Sequence, residues 1–194
     1  MKHHVIYVPG LGDHKPRGQQ LVPKYWRLFG VYGHYFAMRW NSKEPFAPKL
    51  ARLLALVDDL SKNGDRVSLV GTSAGASVAL LVYATRPNKV NGVVCISGKI
   101  NNPSATHPRY RENPALKESL FKLQDALPGL TPSMRKRIMS FHPFQDQEVP
   151  PADTIIPGAQ ERLIPISGHV ASIGVALVFY TPALIRFLKR QVRI

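Results

Sequence analysis

Residues 67–76 read Val-Ser-Leu-Val-Gly-Thr-Ser-Ala-Gly-Ala, and this stretch constrains the fold of the chain more than any other. A short apolar run typical of a β-strand is followed by a Gly-x-Ser-x-Gly turn and then by an Ala-rich segment that favours a helix. Strand, sharp turn and helix in this order are expected of a nucleophile elbow, in which the turn exposes a serine. Gly71 and Gly75 suit such a turn because side chains there would collide with it or with a neighbouring strand. We therefore predict that Ser73 is a nucleophile; the alternative is an ordinary strand–helix turn with an inert serine.

Apolar runs of strand type alternate with helix-like segments along the rest of the chain, which favours a parallel α/β sheet. The length of 194 residues suits a single domain, residues 1–194. The predicted strands are residues 4–8, 35–40, 67–70, 90–96, 138–141 and 163–166. The predicted helices are residues 18–29, 48–62, 74–85 and 170–190, the last with a kink at Pro182.

Residues 99–137 interrupt this alternation between the fourth and fifth strands. The segment is polar, basic and rich in proline, with amphipathic pieces at residues 114–127 and 131–138. We predict that it is a short cap over the site; the alternative is a surface excursion with ordinary packing helices.

The chain carries a net charge of +14, which permits attraction to phosphates, anionic lipid headgroups or acidic substrates. No basic stripe interleaved with aromatic residues is present, and no nucleic-acid-binding motif is found, so nucleic-acid binding is not expected. Peripheral association with an anionic membrane is compatible with the charge but is not expected either. A generally solvated basic surface is the simplest interpretation, and the sequence does not indicate an oligomeric state.

Residues 163–185 contain no Asp, Glu, Lys or Arg and are long enough to suggest a membrane span. Proline and glycine residues interrupt this run, so we predict a strand, a loop and a buried helix instead. The only cysteine, Cys95, lies in the apolar run of residues 93–96 and is expected in the core. Because a single cysteine cannot form an internal disulfide, we expect a reducing, cytoplasmic environment.

A serine hydroxyl is a weak nucleophile at neutral pH and needs a base, for which histidine is suited by its pKa near 6.5. Of the seven histidines, His169 fits best because it follows the last strand and the pair Ser167-Gly168 and precedes a helix. His142 directly follows a strand but precedes the acid, and His14 lies upstream of the serine.

The base in turn needs a carboxylate to orient it. Asp146 lies just past the fifth strand in the sequence Asp-x-x-Val-Pro, which places it on a loop. Glu148 and Asp153 are the alternatives. Asp13 and Asp125 are predicted to be solvated or capping carboxylates.

The oxyanion that forms during acyl transfer needs donors, usually two backbone N–H groups. We predict that one comes from Ala74, which follows the nucleophile. The other is expected from Leu11, in the loop Pro-Gly-Leu-Gly after the first strand, unless this loop is merely a turn.

Taken together, the Pro-Gly-Leu-Gly-Asp loop, Gly-Thr-Ser-Ala-Gly, Asp146-x-x-Val-Pro and Ser-Gly-His169 resemble the α/β-hydrolase family over nearly the whole chain. The resemblance implies a three-layer α/β/α sandwich, a Ser73–His169–Asp146 triad, and no metal or organic cofactor. Larger members begin with two further strands, so a minimal fold is expected here. Its sheet would have six parallel strands in the order 2-1-3-4-5-6.

The function implied by this resemblance is hydrolysis of a carboxylic ester of a small molecule through an acyl-enzyme. Thioester or peptide-bond hydrolysis uses the same machinery and stays open. A different alternative is a catalytically silent member that binds a partner or anionic lipid through its basic surface.

Overall fold

Six parallel strands form one sheet in the order β2-β1-β3-β4-β5-β6, which confirms the predicted strand order. The computed structural model describes residues 1–14, 18–105, 107–108 and 112–191. The strands are β1 (His3–Val8), β2 (Tyr32–Tyr35), β3 (Arg66–Thr72), β4 (Val90–Ile96), β5 (Ile138–Gln145) and β6 (Gln160–Ser167).

Helices cover both faces of the sheet, so the predicted three-layer architecture is confirmed as well. The helices are α1 (Val22–Tyr25), α2 (Phe46–Leu60), α3 (Ala74–Thr85), α4 (Pro114–Ala126), α5 (Pro132–Arg135), α6 (His169–Phe179) and α7 (Thr181–Arg190). Helices α2, α3 and α4 pack on one face over one apolar core. Helices α6 and α7 and the segment around Trp26 pack on the other face over a second core.

The centre of the sheet is apolar because it is covered on both faces. Strand β4 is buried along its whole length, and β3 is buried except at Arg66. Cys95 lies here with no exposed surface, as predicted, and burial raises the pKa of its thiol to about 12. The buried centre thus fixes the register of β3, whose carboxyl end carries Ser73.

The predicted second strand, residues 35–40, is wrong in position, since β2 spans Tyr32–Tyr35. Strand β1 ends at Val8, so the chain beyond Tyr35 has few backbone groups of β1 left to pair with. Met38 and Trp40 are nevertheless buried, because this segment runs into the core as an irregular chain. The apolar spacing that predicted a strand here reflects burial of a loop.

Two predicted helices are divided in the structure. Residues 18–29 form two 3₁₀ turns (Gln19–Leu21 and Trp26–Phe29) around α1, since Pro23 has no N–H to continue a helix from Gln19. The terminal helix is two helices, α6 and α7, bent by 67°, with Pro182 near the start of α7. In the described part of the chain no single helix is long and apolar enough to cross a membrane; only this bent pair has the combined length and composition.

The segment of residues 99–137 contains α4, which packs against α3 and α2. Its apolar side chains Leu116, Leu120 and Leu123 are part of the core, as in an ordinary crossover helix. Residues 106 and 109–111 of the predicted cap lie outside the described residues. That residues 99–137 act as a cap stays a prediction.

Candidate active site

Ser73 lies at the turn between β3 and α3, with φ 51° and ψ −124°. A residue other than glycine in such a conformation carries strain on the order of 1–3 kcal/mol. The two glycines of the motif make the turn sterically feasible. A Cβ atom at Gly71 would lie 2.4 Å from the carbonyl oxygen of Gly75, and one at Gly75 would lie 2.1 Å from that of Val8.

The three side chains singled out in the sequence form one hydrogen-bonded line. His169 Nε2 is 2.9 Å from Ser73 Oγ, and His169 Nδ1 is 2.7 Å from Asp146 Oδ2. Asp146 accepts the Nδ1–H, which leaves Nε2 free to accept the hydrogen bond of the serine hydroxyl; this hydrogen-bond pattern defines the tautomer. The structure therefore brings together residues that are 23 and 96 positions apart in the chain.

Asp146 is held by the loop that follows β5. Its Oδ1 accepts hydrogen bonds from the backbone N–H groups of Glu148 (2.8 Å) and Val149 (2.9 Å), which leaves Oδ2 for the histidine. The side chain has no exposed surface. Burial raises the pKa of Asp146, but the hydrogen bonds from His169 and Val149 outweigh it and hold this pKa below its usual value. Asp146 is therefore ionised at neutral pH.

His169 is the first residue of α6 and is almost fully buried. The preceding Gly168 has φ 100°, a backbone conformation that favours glycine, and its N–H donates to the carbonyl oxygen of Gln145 at 2.8 Å. Ser172, one turn later, donates its hydroxyl to the carbonyl oxygen of His169 at 2.8 Å. These contacts orient the start of α6 so that the imidazole points at Ser73.

The alternative residues have other roles in the fold. The Nδ1 of His142 lies 3.3 Å from the carbonyl oxygen of Pro143, and His14 hydrogen-bonds Asn41 on the surface. Asp153 forms a buried ion pair with Lys99 and accepts a hydrogen bond from Asn102. Among the described residues, His169 is the one histidine hydrogen-bonded to Ser73.

Leu11 and Ala74, the predicted oxyanion donors, both line the pocket beside Ser73. Ala74 is the first residue of α3, where backbone N–H groups have no acceptor within the helix. The loop that carries Leu11 lies against the serine, since a Cβ atom at Gly10 would be 2.9 Å from Ser73 Cβ. Both residues thus border the pocket beside Ser73, and their role as oxyanion donors stays a prediction.

Asp13, predicted to be a solvated or capping carboxylate, is in fact buried. Its two oxygens accept hydrogen bonds from the backbone N–H groups of Arg39 (2.5 Å) and Trp40 (3.3 Å). The indole N–H of Trp40 donates to the carbonyl oxygen of Pro9 at 3.1 Å. Burial raises the pKa of Asp13 despite these hydrogen bonds. Asp13 and Trp40 therefore hold the loop of residues 9–13 in place, a role that no local sequence signal indicated.

A small cleft of about 20 Å³ lies over Ser73. Its remaining lining residues are Lys99, His107, Leu116, Glu148 and Val149. Three of these, Lys99, His107 and Leu116, belong to residues 99–137, the segment that the sequence predicted as a cap. That prediction is the one sequence signal that pointed to this side of the pocket. No group of three or more His, Cys, Asp or Glu side chains in the described ranges is arranged to hold a metal ion.

Comparison of sequences finds no matching family model and no matching curated protein. Solved structures do match in fold. A structure of the metagenome-derived lipolytic enzymes LipS and LipT is 15% identical with a TM-score of 0.70, covering 98% of this chain and 94% of that one. Est1E from Butyrivibrio proteoclasticus is 17% identical with a TM-score of 0.69, at 98% and 88% coverage. Alpha/beta hydrolase domain-containing protein 10 from mouse is 16% identical with a TM-score of 0.65, at 96% and 90% coverage. At these identities the likeness establishes a shared fold.

Proposed function

We propose that this chain, which has the α/β-hydrolase fold, is a serine hydrolase that cleaves carboxylic esters of small molecules. The observation that carries the proposal is the continuous hydrogen-bonded line from Ser73 through His169 to a buried, ionised Asp146. Solved structures of the same fold include lipolytic enzymes and Est1E, which supports an ester as the substrate.

In the first step, Ser73 Oγ attacks the carbonyl carbon of the ester while His169 Nε2 takes the hydroxyl proton. Asp146 keeps the imidazole in the tautomer that accepts at Nε2 and stabilises the imidazolium that forms. The backbone N–H groups of Leu11 and Ala74 donate to the oxyanion. His169 then gives its proton to the leaving alkoxide, which departs as the alcohol.

In the second step, a water molecule attacks the acyl-enzyme. His169 takes a proton from this water and returns it to Ser73 Oγ as the carboxylic acid leaves. Thioesters and amides pass through the same intermediates, so substrate choice depends on the pocket and on leaving-group fit rather than on the triad.

A fluorophosphonate probe tests the nucleophile, because it phosphonylates a serine that an adjacent base activates. We expect wild type to be labelled and Ser73→Ala to remain unlabelled. Ser133→Ala is the matched control, since Ser133 is exposed on α5 and should leave labelling unchanged. Labelling of Ser73→Ala at the wild-type rate, or no labelling of wild type, contradicts the proposal.

Substrate class is tested with a panel of chromogenic esters of graded acyl length beside a thioester and a peptide anilide. We expect the largest kcat/KM for an ester, with Ser73→Ala inactive on all of them. Preferential hydrolysis of the thioester or the anilide would keep Ser73 as nucleophile and replace the substrate assignment.

A further inference from the structure

One helical layer of the protein combines exposed cations with exposed apolar side chains and has no carboxylate. We call this layer the basic–apolar face; it consists of residues 18–31 and 168–191, neither of which contains Asp or Glu. Its cations, all exposed, are Lys24, Arg27, Arg186, Lys189 and Arg190.

The two segments form one continuous surface although they lie far apart in the chain. Helix α7 packs against the 3₁₀ turn Trp26–Phe29 on one side and against α6 on the other. Beneath them, Trp26, Leu184 and Ala176 belong to one apolar core. The outer side of this layer is therefore a single face of the molecule.

Large apolar side chains project from this face. Leu28 is 79% exposed and Phe179 is 75% exposed, and α6 has no Asp, Glu, Lys or Arg among its residues. The other exposed apolar residues of the face are Leu21, Tyr25, Val170 and Val178. The prediction of a buried helix at residues 170–190 is thus wrong for the outer side of α6. A concentration of exposed apolar residues on one face marks an interaction surface.

The opposite helical layer is built differently, because several of its cations are paired with neighbouring carboxylates. Ion pairs there join Arg52 to Glu44, Arg86 and Lys89 to Asp58, Lys62 to Asp59, and Lys122 to Glu118. None of the ion pairs between described residues involves the five cations of the basic–apolar face. The basic–apolar face therefore gathers five cations that form no ion pair with a described carboxylate.

We propose that the basic–apolar face docks the protein on a lipid bilayer that contains anionic headgroups. The exposed Leu28 and Phe179 would enter the boundary between headgroups and acyl chains, while the lysines and arginines lie against headgroup phosphates and carboxylates. Nucleic acid fits the same charges but offers no apolar layer for the aliphatic side chains, which is why the bilayer is favoured.

Docking in this way also places the serine site beside the membrane. Helix α6 begins at His169 and carries the 71%-exposed Val170 next to it, so the face extends to the edge of the candidate site. The docking proposal does not depend on catalysis, and it is tested in the Ser73→Ala background so that lipid turnover cannot interfere.

The test measures co-sedimentation with vesicles of phosphatidylcholine alone and with 30 mol% phosphatidylserine. We expect binding to the anionic vesicles that weakens between 0.05 and 0.5 M NaCl, since salt shortens the Debye length from well over 10 Å to only a few ångströms. The variant Arg186→Gln/Lys189→Gln/Arg190→Gln should lower the partition coefficient by roughly five-fold per charge.

Matched controls separate this face from net charge alone. Lys43→Gln/Lys117→Gln/Lys122→Gln removes the same charge from exposed positions on the other side of the sheet and should bind as the parent does. Leu28→Ser/Phe179→Ser should weaken binding, whereas Phe121→Ser, on the exposed side of α4, should not. Thermal unfolding establishes that each variant is folded.

Three results would overturn the proposal. They are absence of binding to the anionic vesicles, equal weakening by the two triple variants, and binding of a 20-base-pair DNA duplex in place of vesicles.

Discussion

At the scale of single residues, the most sharply defined group is the carboxylate of Asp146. Each of its oxygens has a separate task, because Oδ1 binds two backbone N–H groups of its own loop and Oδ2 binds His169. An amide whose oxygen keeps the two loop hydrogen bonds would turn its NH₂ group toward Nδ1 of the imidazole, where it can only donate a hydrogen bond. The tautomer with a free Nε2 would then lose its support.

We therefore expect Asp146→Asn to lower kcat for ester hydrolysis by a factor on the order of 10⁴, the loss known for the equivalent change in a serine protease. The KM should change little, since Asp146 lies behind the histidine and away from the substrate. Steady-state kinetics against Asp125→Asn, an exposed carboxylate on α4, provides the comparison. A loss of less than tenfold in Asp146→Asn would remove it from the triad.

The residue scale also shows what the sequence can and cannot predict. Ser73, His169 and Asp146 were predictable because each follows a strand in a short motif, and strand ends of a parallel sheet meet at one edge. The partners of Asp13 and Lys99 lie 26 and 54 positions away and have no local pattern. Buried carboxylates that serve the fold therefore look like surface residues until the packing is known.

At the scale of elements, the loop after β1 depends on an irregular neighbour. The segment of residues 35–40 was predicted as a strand, yet its N–H groups at Arg39 and Trp40 bind Asp13 in place of a strand partner. Arg39 has φ 53°, which turns the chain so that both N–H groups face the carboxylate. A period-two apolar pattern cannot distinguish this arrangement from a strand, because Met38 and Trp40 are buried in either case.

Asp13→Asn tests whether this arrangement positions the oxyanion loop. One of its backbone N–H donors would face an NH₂ group, which leaves a buried donor unpaired at a cost of about 1–3 kcal/mol in the free energy of unfolding. We expect kcat to fall while KM stays within a few-fold, since the loop holds Leu11 beside Ser73.

Urea unfolding and steady-state kinetics measure the two effects of Asp13→Asn separately. Asp59→Asn, in an exposed ion pair with Lys62, is the control and should change neither quantity appreciably. Loss of stability with an unchanged kcat would restrict Asp13 to a structural role.

At the scale of the whole molecule, the two ends of the sheet have different chemistry. The carboxyl ends of the strands meet at Ser73 and its partners. The amino ends carry a group of histidines, in which His4 Nδ1 is 2.9 Å from His34 Nε2 and His3 Nε2 is 2.9 Å from Ser68 Oγ. Burial, together with the nearby charges of Arg66 and Lys189, lowers the pKa of His3 to about 4, and burial also lowers that of His34.

The parallel α/β layering was predictable from the alternation of strand-like and helix-like segments, and the strand order from the resemblance of the motifs to the α/β-hydrolase family. The distribution of charge over the molecule was not, since residues 18–31 and 168–191 become one face only through the packing of α7. In the sequence, His3 and His4 resemble polar residues at the exposed start of a strand, yet His3 is only 7% exposed in β1. The lowered pKa of His3 affects stability because the unfolded chain does not share it.

In the unfolded chain, His3 binds a proton near pH 6.5, whereas in the folded protein it does so near pH 4. Between these values the unfolded state holds more protons, so stability falls as the pH falls from about 6.5 to about 4. Wild type should therefore lose about 2–3 kcal/mol more than His3→Gln in the free energy of unfolding between pH 7.5 and pH 4.5. Urea titrations at both pH values measure this difference, in which contributions from the other titrating groups cancel. An equal loss in the two proteins would mean that the pKa of His3 is the same in the folded and unfolded states. Any loss of stability in acid would then come from other groups.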